Sequence, residues 1–194
     1  MPNYADINGR PMKKLQIQQY LRKLQLNDFE PTVNLATLTK LQDAHLKYIP
    51  YENFDCLNGK ITSLKRQDMF NKVIMHNRGG ICFELNGLYN WLLESLGFDV
   101  TSYSARFIDK METYQLRRHR VMCVALGDKR YLTDVGVNSE SPRVPLEITE
   151  GLIQSDGISQ YKFTRSEFWG WLLWQKERGK IWKRLFGFTE EPQI

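Results

Sequence analysis

The sequence predicts an α+β protein in which a helical half precedes a β half. Apolar residues recur at three- and four-residue spacing as far as Phe98, and β-branched, partly alternating runs take over from Asp99. With 42% hydrophobic residues over 194 positions, the chain can bury a substantial core. A quarter of the residues are charged and aromatics are plentiful, which excludes gross disorder.

The first helix is expected over 12–26, where Leu15, Ile17, Tyr20, Leu21 and Leu24 form one stripe. Asn27-Asp28 and Pro31 end it. Asn34 can cap a second helix bearing Leu35, Leu38, Leu41 and His45. That helix stops before Ile49-Pro50, because the residue preceding a proline is pushed out of the α region. Tyr51 to Gly59 is turn-rich. Ser63 or Asp68 can cap a third helix with Met69, Phe70, Val73 and Ile74.

Next comes RGGICFELNGLYNWLLESLGF, Arg78 to Phe98. Gly79 and Gly80 tighten a loop that delivers Cys82 to the first turn of a long helix with Leu85, Leu88, Tyr89, Leu92, Leu93 and Leu96 on one face. Gly97 stands where a left-handed residue closes such a helix.

The segments 99–107, 119–127 and 129–137 read as strands, and 144–154 and 161–163 as shorter strands or loops. The last segment, SEFWGWLLWQKERGKIWKRLFGF (166–188), holds four of the five tryptophans and reads as a return to helix. The expected organisation is a helical domain over 1–88, a β domain over 89–165 and a tryptophan-rich helical tail over 166–194.

The net charge of +5 permits a nucleic-acid role, but the basic residues are scattered and no zinc-finger spacing or RNP-type motif occurs, so no nucleic-acid partner is expected. Cys56, Cys82 and Cys123 are odd in number, far apart and in no C-x-x-C pair. That pattern points away from a disulfide framework and toward a reducing, cytoplasmic setting. With so few cysteines and histidines no metal site is expected. The start MPNYADINGR lacks the apolar region of a signal peptide, and no run reaches the roughly 18 apolar residues of a membrane span.

Cys82 is the strongest chemical candidate. A thiol becomes nucleophilic when deprotonated, and a helix N-terminus stabilises the thiolate through unsatisfied N–H groups and the macrodipole. The thiol also needs a base, and the base an orienting group. If Gly127-Asp128 is a two-residue hairpin loop, Leu126 pairs with Lys129 and His119 lies opposite Gly136, so His119 and Asp134 emerge diagonally on one face. A three-residue loop would reverse that parity. His45 reads as a packed helical histidine, His76 as a helix-terminal charge, Cys123 as core, and Cys56 as a thiol with no base in view. Arg117-Arg118-His119-Arg120 reads as either a solvated strand entry or a draw for an anionic substrate. Arg78 and Glu52 could form a buried ion pair that locks the loop.

RGGICFELN around Cys82 resembles the active-site signature of the arylamine N-acetyltransferases. HLKYIPYENFD (45–55), LGFDV (96–100), YLTDVGVN (131–138), SPRVPLEI (141–148) and the ending FGFTEEP resemble further segments of that family, in order along essentially the whole chain. The resemblance implies a papain-like Cys-His-Asp triad on Cys82, His119 and Asp134. It also implies a helical first domain, an antiparallel β-barrel second domain and a third α/β domain that acts as a lid. The implied chemistry is ping-pong transfer from acetyl-CoA, through an acetyl-cysteine, to an arylamine or arylhydrazine. His119 would carry the proton, Asp134 would hold its tautomer, and backbone N–H groups near Cys82 would bind the oxyanion.

Two departures stand out. Val137 and Asn138 replace a Phe and a Gly of the family's DVGFG, which bears on the acceptor pocket. The sequence also ends where family members continue into the lid, so the lid is expected to be missing and the apolar stretch 168–188 to be exposed and prone to self-association. Two rival readings are a catalytically silent remnant that still binds aromatic or CoA-like ligands, and a cysteine hydrolase or transglutaminase-like enzyme with the same triad.

Overall fold

The computed structural model describes residues 9–108, 116–137 and 140–192. Among the described residues five α-helices come first: α1 (Lys14–Lys23), α2 (Leu35–Tyr48), α3 (Phe54–Leu57), α4 (Arg66–Phe70) and α5 (Cys82–Ser95). Eight strands follow: β1 (Asp99–Phe107), β2 (His119–Leu126), β3 (Lys129–Thr133), β4 (Leu146–Glu147), β5 (Gln154–Ser155), β6 (Ser159–Ser166), β7 (Gly170–Glu177) and β8 (Lys183–Pro192).

Local chemistry accounts for the helix ends. Asn34 caps α2 as expected, its Oδ1 accepting the Thr37 N–H at 2.8 Å, and α2 ends one residue before Ile49-Pro50. Gly97 adopts φ +90°, and the N–H groups of Gly97 and Phe98 close α5 onto the carbonyls of Glu94 and Leu93. The third expected helix differs. Neither Ser63 nor Asp68 caps it; the Ser63 hydroxyl instead donates to the Asp68 carboxylate at 2.6 Å. After Phe70 the helix widens into a π-helical turn, Asn71–Met75, in which the His76 N–H reaches back to the Asn71 carbonyl.

The buried faces of α1, α2 and α4 pack around α5. Tyr20, Leu24, Leu38, Leu41, Phe70, Leu88, Tyr89 and Leu92 share one core with Met122 and Val124 of β2. The first-turn residue Leu15 is instead 64% exposed. α5 runs unbroken through residue 88, where the sequence placed the end of the helical unit.

All the strands pair antiparallel in the order β4-β3-β2-β1-β8-β7-β6-β5, a nearly closed barrel around a second core that includes Val121, Leu132, Leu146, Phe163, Leu173 and Phe186. Its seam is bridged by Gln154, whose amide accepts the Glu147 N–H at 2.7 Å and donates to the Glu147 carbonyl at 2.9 Å.

The tryptophan-rich segment corrects the helical expectation: it is the end of β6, all of β7 and most of β8. Gly170 (φ +72°) and Gly179 (φ +75°) make its turns, and a Cβ on Gly170 would fall 2.4 Å from the Phe188 carbonyl oxygen. Trp171, Leu173, Phe186 and Phe188 point into the barrel, while Leu172 and Trp169 pack with Ile108 on its outer side. The exposed apolar tail on which the expected self-association rested is therefore folded into the sheet, with Phe168 and Ile181 as its exposed apolar remainder. Among the described residues, no helix is long and apolar enough to cross a membrane.

Candidate active site

Cys82 is the first residue of α5, and the chain ahead of it is clamped from both sides. Tyr51 forms an isolated parallel bridge with Gly80, and the Glu52 N–H donates to the Gly80 carbonyl at 3.0 Å. A Cβ on Gly79 would lie 2.0 Å from the Pro50 carbonyl oxygen, so the two segments can approach this closely only at a glycine. The Arg78–Glu52 pair forms, but it is not buried: the Arg78 side chain is 39% exposed. Arg78 Nε donates to Glu52 Oε1 at 2.7 Å, and the Gly79 N–H donates to Oε2 at 3.0 Å. The guanidinium holds the Glu52 carboxyl below its ordinary range.

The opposite wall comes from the β2–β3 hairpin. Gly127-Asp128 is a two-residue turn, Leu126 pairs with Lys129, and the register runs on to Met122 with Thr133. This is the register read from the sequence, and it brings His119 Nε2 to 2.6 Å from Asp134 Oδ2. Both side chains are completely buried. Because Nε2 donates to the carboxylate, Nδ1 is the nitrogen left for Cys82.

Cys82 is 8% exposed, and its Sγ lies 3.6 Å from the Arg118 carbonyl oxygen, to which the thiol donates. His119 Nδ1 is buried without a well-aligned hydrogen bond, yet Cys82 is close enough to act on the ring's charge. Burial favours the neutral imidazole, but Asp134 and then Cys82 outweigh it and lift His119 to about 9. A ring charged at neutral pH, sandwiched between a sulfur and a carboxylate, is suited to hold a thiolate and to return a proton.

The structure adds residues to which the sequence reading gave no part. Asn86 donates through Nδ2 to Asp134 Oδ1 at 2.8 Å and to the Arg120 carbonyl at 2.5 Å, while its Oδ1 accepts the Val135 N–H at 2.9 Å. It fixes the acid relative to α5. A signal for it existed, since Asn86 is four residues after Cys82 and so shares its helix face. The Gly136 N–H also donates to Asp134 Oδ1, at 2.8 Å. Phe107 and Phe186 flank the imidazole at 5.0 and 5.2 Å between ring centroids, and Phe107 is 40% exposed, forming the solvent side of the site. Neither ring carries a sequence signal, because strands meet across the sheet rather than along the chain.

The other candidates lie elsewhere. His45 is fully buried between the rings of Tyr20 and Tyr89, and His76 is exposed at the end of the π-helical turn. Cys123 is in the barrel core, where burial pushes its thiol up to about 11. Cys56 is exposed, with Sγ 3.6 Å from the Thr62 hydroxyl. Within the basic run, Arg117 bonds Thr189 and Glu191, and Arg120 reaches inward to Ser102. Val137 is buried in the barrel core, and Asn138 lies outside the described residues.

A family model described as N-acetyltransferase matches residues 34–194. The chain is 36% identical over 180 residues to an arylamine N-acetyltransferase of Mycolicibacterium smegmatis, covering 90% of this chain and 64% of that protein. It is 31% identical over 157 residues to the arylamine N-acetyltransferase of Escherichia coli K12, covering 80% of this chain and 55% of that protein. The fold superposes on the arylamine N-acetyltransferase of Salmonella typhimurium with a TM-score of 0.87 at 27% identity, covering 94% of this chain and 66% of that one. The chain thus spans 55–64% of the length of these two curated relatives. With matching motifs, a matching fold and a family model that covers most of its length, this chain belongs to the arylamine N-acetyltransferase family.

Proposed function

We propose that the chain transfers an acetyl group from acetyl-CoA to the nitrogen of an arylamine or arylhydrazine, through a ping-pong cycle in which Cys82 is acetylated. The observation that carries this reading is the line from the Cys82 thiol through the buried His119 ring to Asp134, at 2.6 Å for its second link. In the first half-reaction the Cys82 thiolate attacks the thioester carbonyl carbon. The tetrahedral oxyanion faces the free N–H groups at the start of α5. The bond from carbon to the CoA sulfur then breaks, and that sulfur leaves with the proton held by His119.

In the second half-reaction the amine nitrogen attacks the acetyl-cysteine, His119 takes the amine proton, and the carbon–sulfur bond to Cys82 breaks to release the amide. Asp134 holds the imidazole tautomer throughout, as in other triads of this type. Exposed Phe107 supplies an aromatic edge beside His119, which suits an aryl acceptor.

The test is acylation followed by discharge. Protein incubated with acetyl-CoA alone should gain one acetyl group on Cys82 by intact and peptide mass, Cys82→Ala should gain none, and added arylamine should remove it as the acetylated amine. A folded protein that never acquires the adduct would sink this reading in favour of a silent remnant. CoA release that continues without any amine would instead mark a hydrolase.

A further inference from the structure

The geometry points to Lys72 as a positioning residue for the nucleophile: its ammonium neutralises the buried Glu84 carboxylate that is bonded to the backbone beside Cys82. This deepens the proposed function of the same site and rests on Cys82 being its nucleophile.

Glu84 is the third residue of α5 and is 2% exposed. Its Oε2 accepts the Ile81 N–H at 3.0 Å, which ties the end of the glycine loop to the helix. That bond has an electrostatic cost. A carboxylate held on the N–H of the residue before Cys82 sets a negative charge at the start of its helix, opposing the helix-terminal field that favours a thiolate. Lys72 offsets it. The ammonium lies 2.8 and 3.1 Å from the two Glu84 oxygens and 2.9 Å from Asp55 Oδ2. Burial disfavours the charged amine, yet Glu84 and Asp55 outweigh that and hold it protonated.

Lys72 reaches both acids from the π-helical turn, whose widened backbone also accepts the Arg78 N–H on the Lys72 carbonyl at 3.1 Å. Around the loop, the acids Glu52, Asp55 and Glu84 therefore face the cations Lys72 and Arg78, with Tyr51 beside them. On the barrel side Cys82 faces His119 and Asp134. Without Lys72 the set loses the cation bound to Glu84, the acid nearest the nucleophile in sequence.

The experiment reads thiol reactivity without acetyl-CoA, so it succeeds or fails independently of acetyl transfer. Iodoacetamide alkylation of Cys82 is followed by peptide mass from pH 6 to 10, with an added small-molecule thiol as the reference, because Cys56 adjoins the Lys72 partner Asp55. Lys72→Met should slow Cys82 alkylation at neutral pH about tenfold while leaving the high-pH plateau unchanged, the signature of an uncompensated nearby charge. Lys72→Arg should stay within about twofold of the parent, because the charge is retained. The double variant Lys72→Met/Glu84→Gln should recover most of the neutral-pH rate, since the charge that Lys72 answers is gone.

An unchanged Lys72→Met, a rate lowered equally at every pH, or a double variant as slow as the single would each overturn the proposal. Should circular dichroism show Lys72→Met unfolded, Glu84→Gln alone decides: its amide oxygen keeps the Ile81 bond, and Cys82 alkylation at neutral pH should match or exceed the parent. Slower alkylation there would also overturn it.

Discussion

Gly136 sits where the loop carrying Asp134 crosses the first turn of α5. A Cβ at this position would lie 2.8 Å from the Cα of Cys82 and 2.9 Å from Nδ2 of Asn86. The first neighbour is backbone and cannot rotate away, and the second is already committed to Asp134 and the Arg120 carbonyl. Of the residues in DVGVN, Gly136 thus answers to the backbone of Cys82, whereas Val137 faces the barrel core. Gly136→Ala should cost about 1–3 kcal/mol, as overpacking of a tight core does. It should also lower the second-order rate of Cys82 acetylation by at least about tenfold, because a displaced Asn86 loosens Asp134 and with it the imidazole. Denaturant unfolding and the initial rate of acetyl-cysteine formation check the two effects. A variant that matches the parent in both would show that the loop yields without moving the site.

The hairpin and the last three strands show which elements were legible in the sequence. A two-residue Gly-Asp loop admits one register, and period-two alternation then places His119 and Asp134 on a common face with no further information. Helix α5 was equally plain, because its 3-4 apolar spacing is bracketed by Gly-Gly and Gly97. The tryptophan-rich segment misled because β7 buries side chains on both faces: Trp171 and Leu173 face the barrel, Leu172 packs with Trp169 and Ile108, and Lys162 and Arg184 lie over Trp174. A strand covered on both sides loses its alternation and reads as a continuous apolar run, which length and spacing cannot separate from helix. Asn86, Glu84 and Lys72 escaped assignment for another reason: Lys72 meets Glu84 across 12 residues, and Asn86 meets Asp134 across 48. The seam between β4 and β5 is likewise invisible in sequence, because side chains bridge it: Gln154 bonds Glu147, and Asp156 accepts the Arg143 N–H. Gln154→Ala removes both hydrogen bonds to Glu147 and should cost about 1–3 kcal/mol. Amide exchange should quicken in β4 and β5 while β2 and β3 keep their protection; uniform loss across the barrel would argue that the seam is not a separate opening unit.

At the scale of the whole molecule, two buried histidines pull stability in opposite directions with pH. His45 is enclosed by Tyr20 and Tyr89 with neither ring nitrogen hydrogen-bonded, and burial lowers it to about 3. His119, held by Asp134, is raised to about 9. Take an unfolded histidine at about 6.5. As pH falls from there toward 3, the unfolded chain binds a proton at His45 that the native state refuses, so stability drops by about 1.4 kcal/mol per pH unit. His119 is protonated in both states over that range and contributes no slope. As pH rises from 6.5 toward 9, the native state keeps a proton on His119 that the unfolded chain has lost, and stability drops at a similar rate, while His45 is neutral in both states. The two limbs meet near pH 6.5, and each should respond to its own substitution. His45→Leu removes the acid-side term together with two unpaired buried nitrogens. Its unfolding free energy between about pH 4 and 6 should therefore fall less steeply than the parent's by about 1 kcal/mol per unit, with the alkaline limb unaltered. His119→Asn should flatten the alkaline limb and leave the acid limb in place. Urea titrations of the three proteins at half-unit pH intervals check this; parallel curves for His45→Leu and the parent below pH 6 would mean that the acid limb belongs to the paired carboxylates, Glu52, Asp55 and Asp156 among them, rather than to His45.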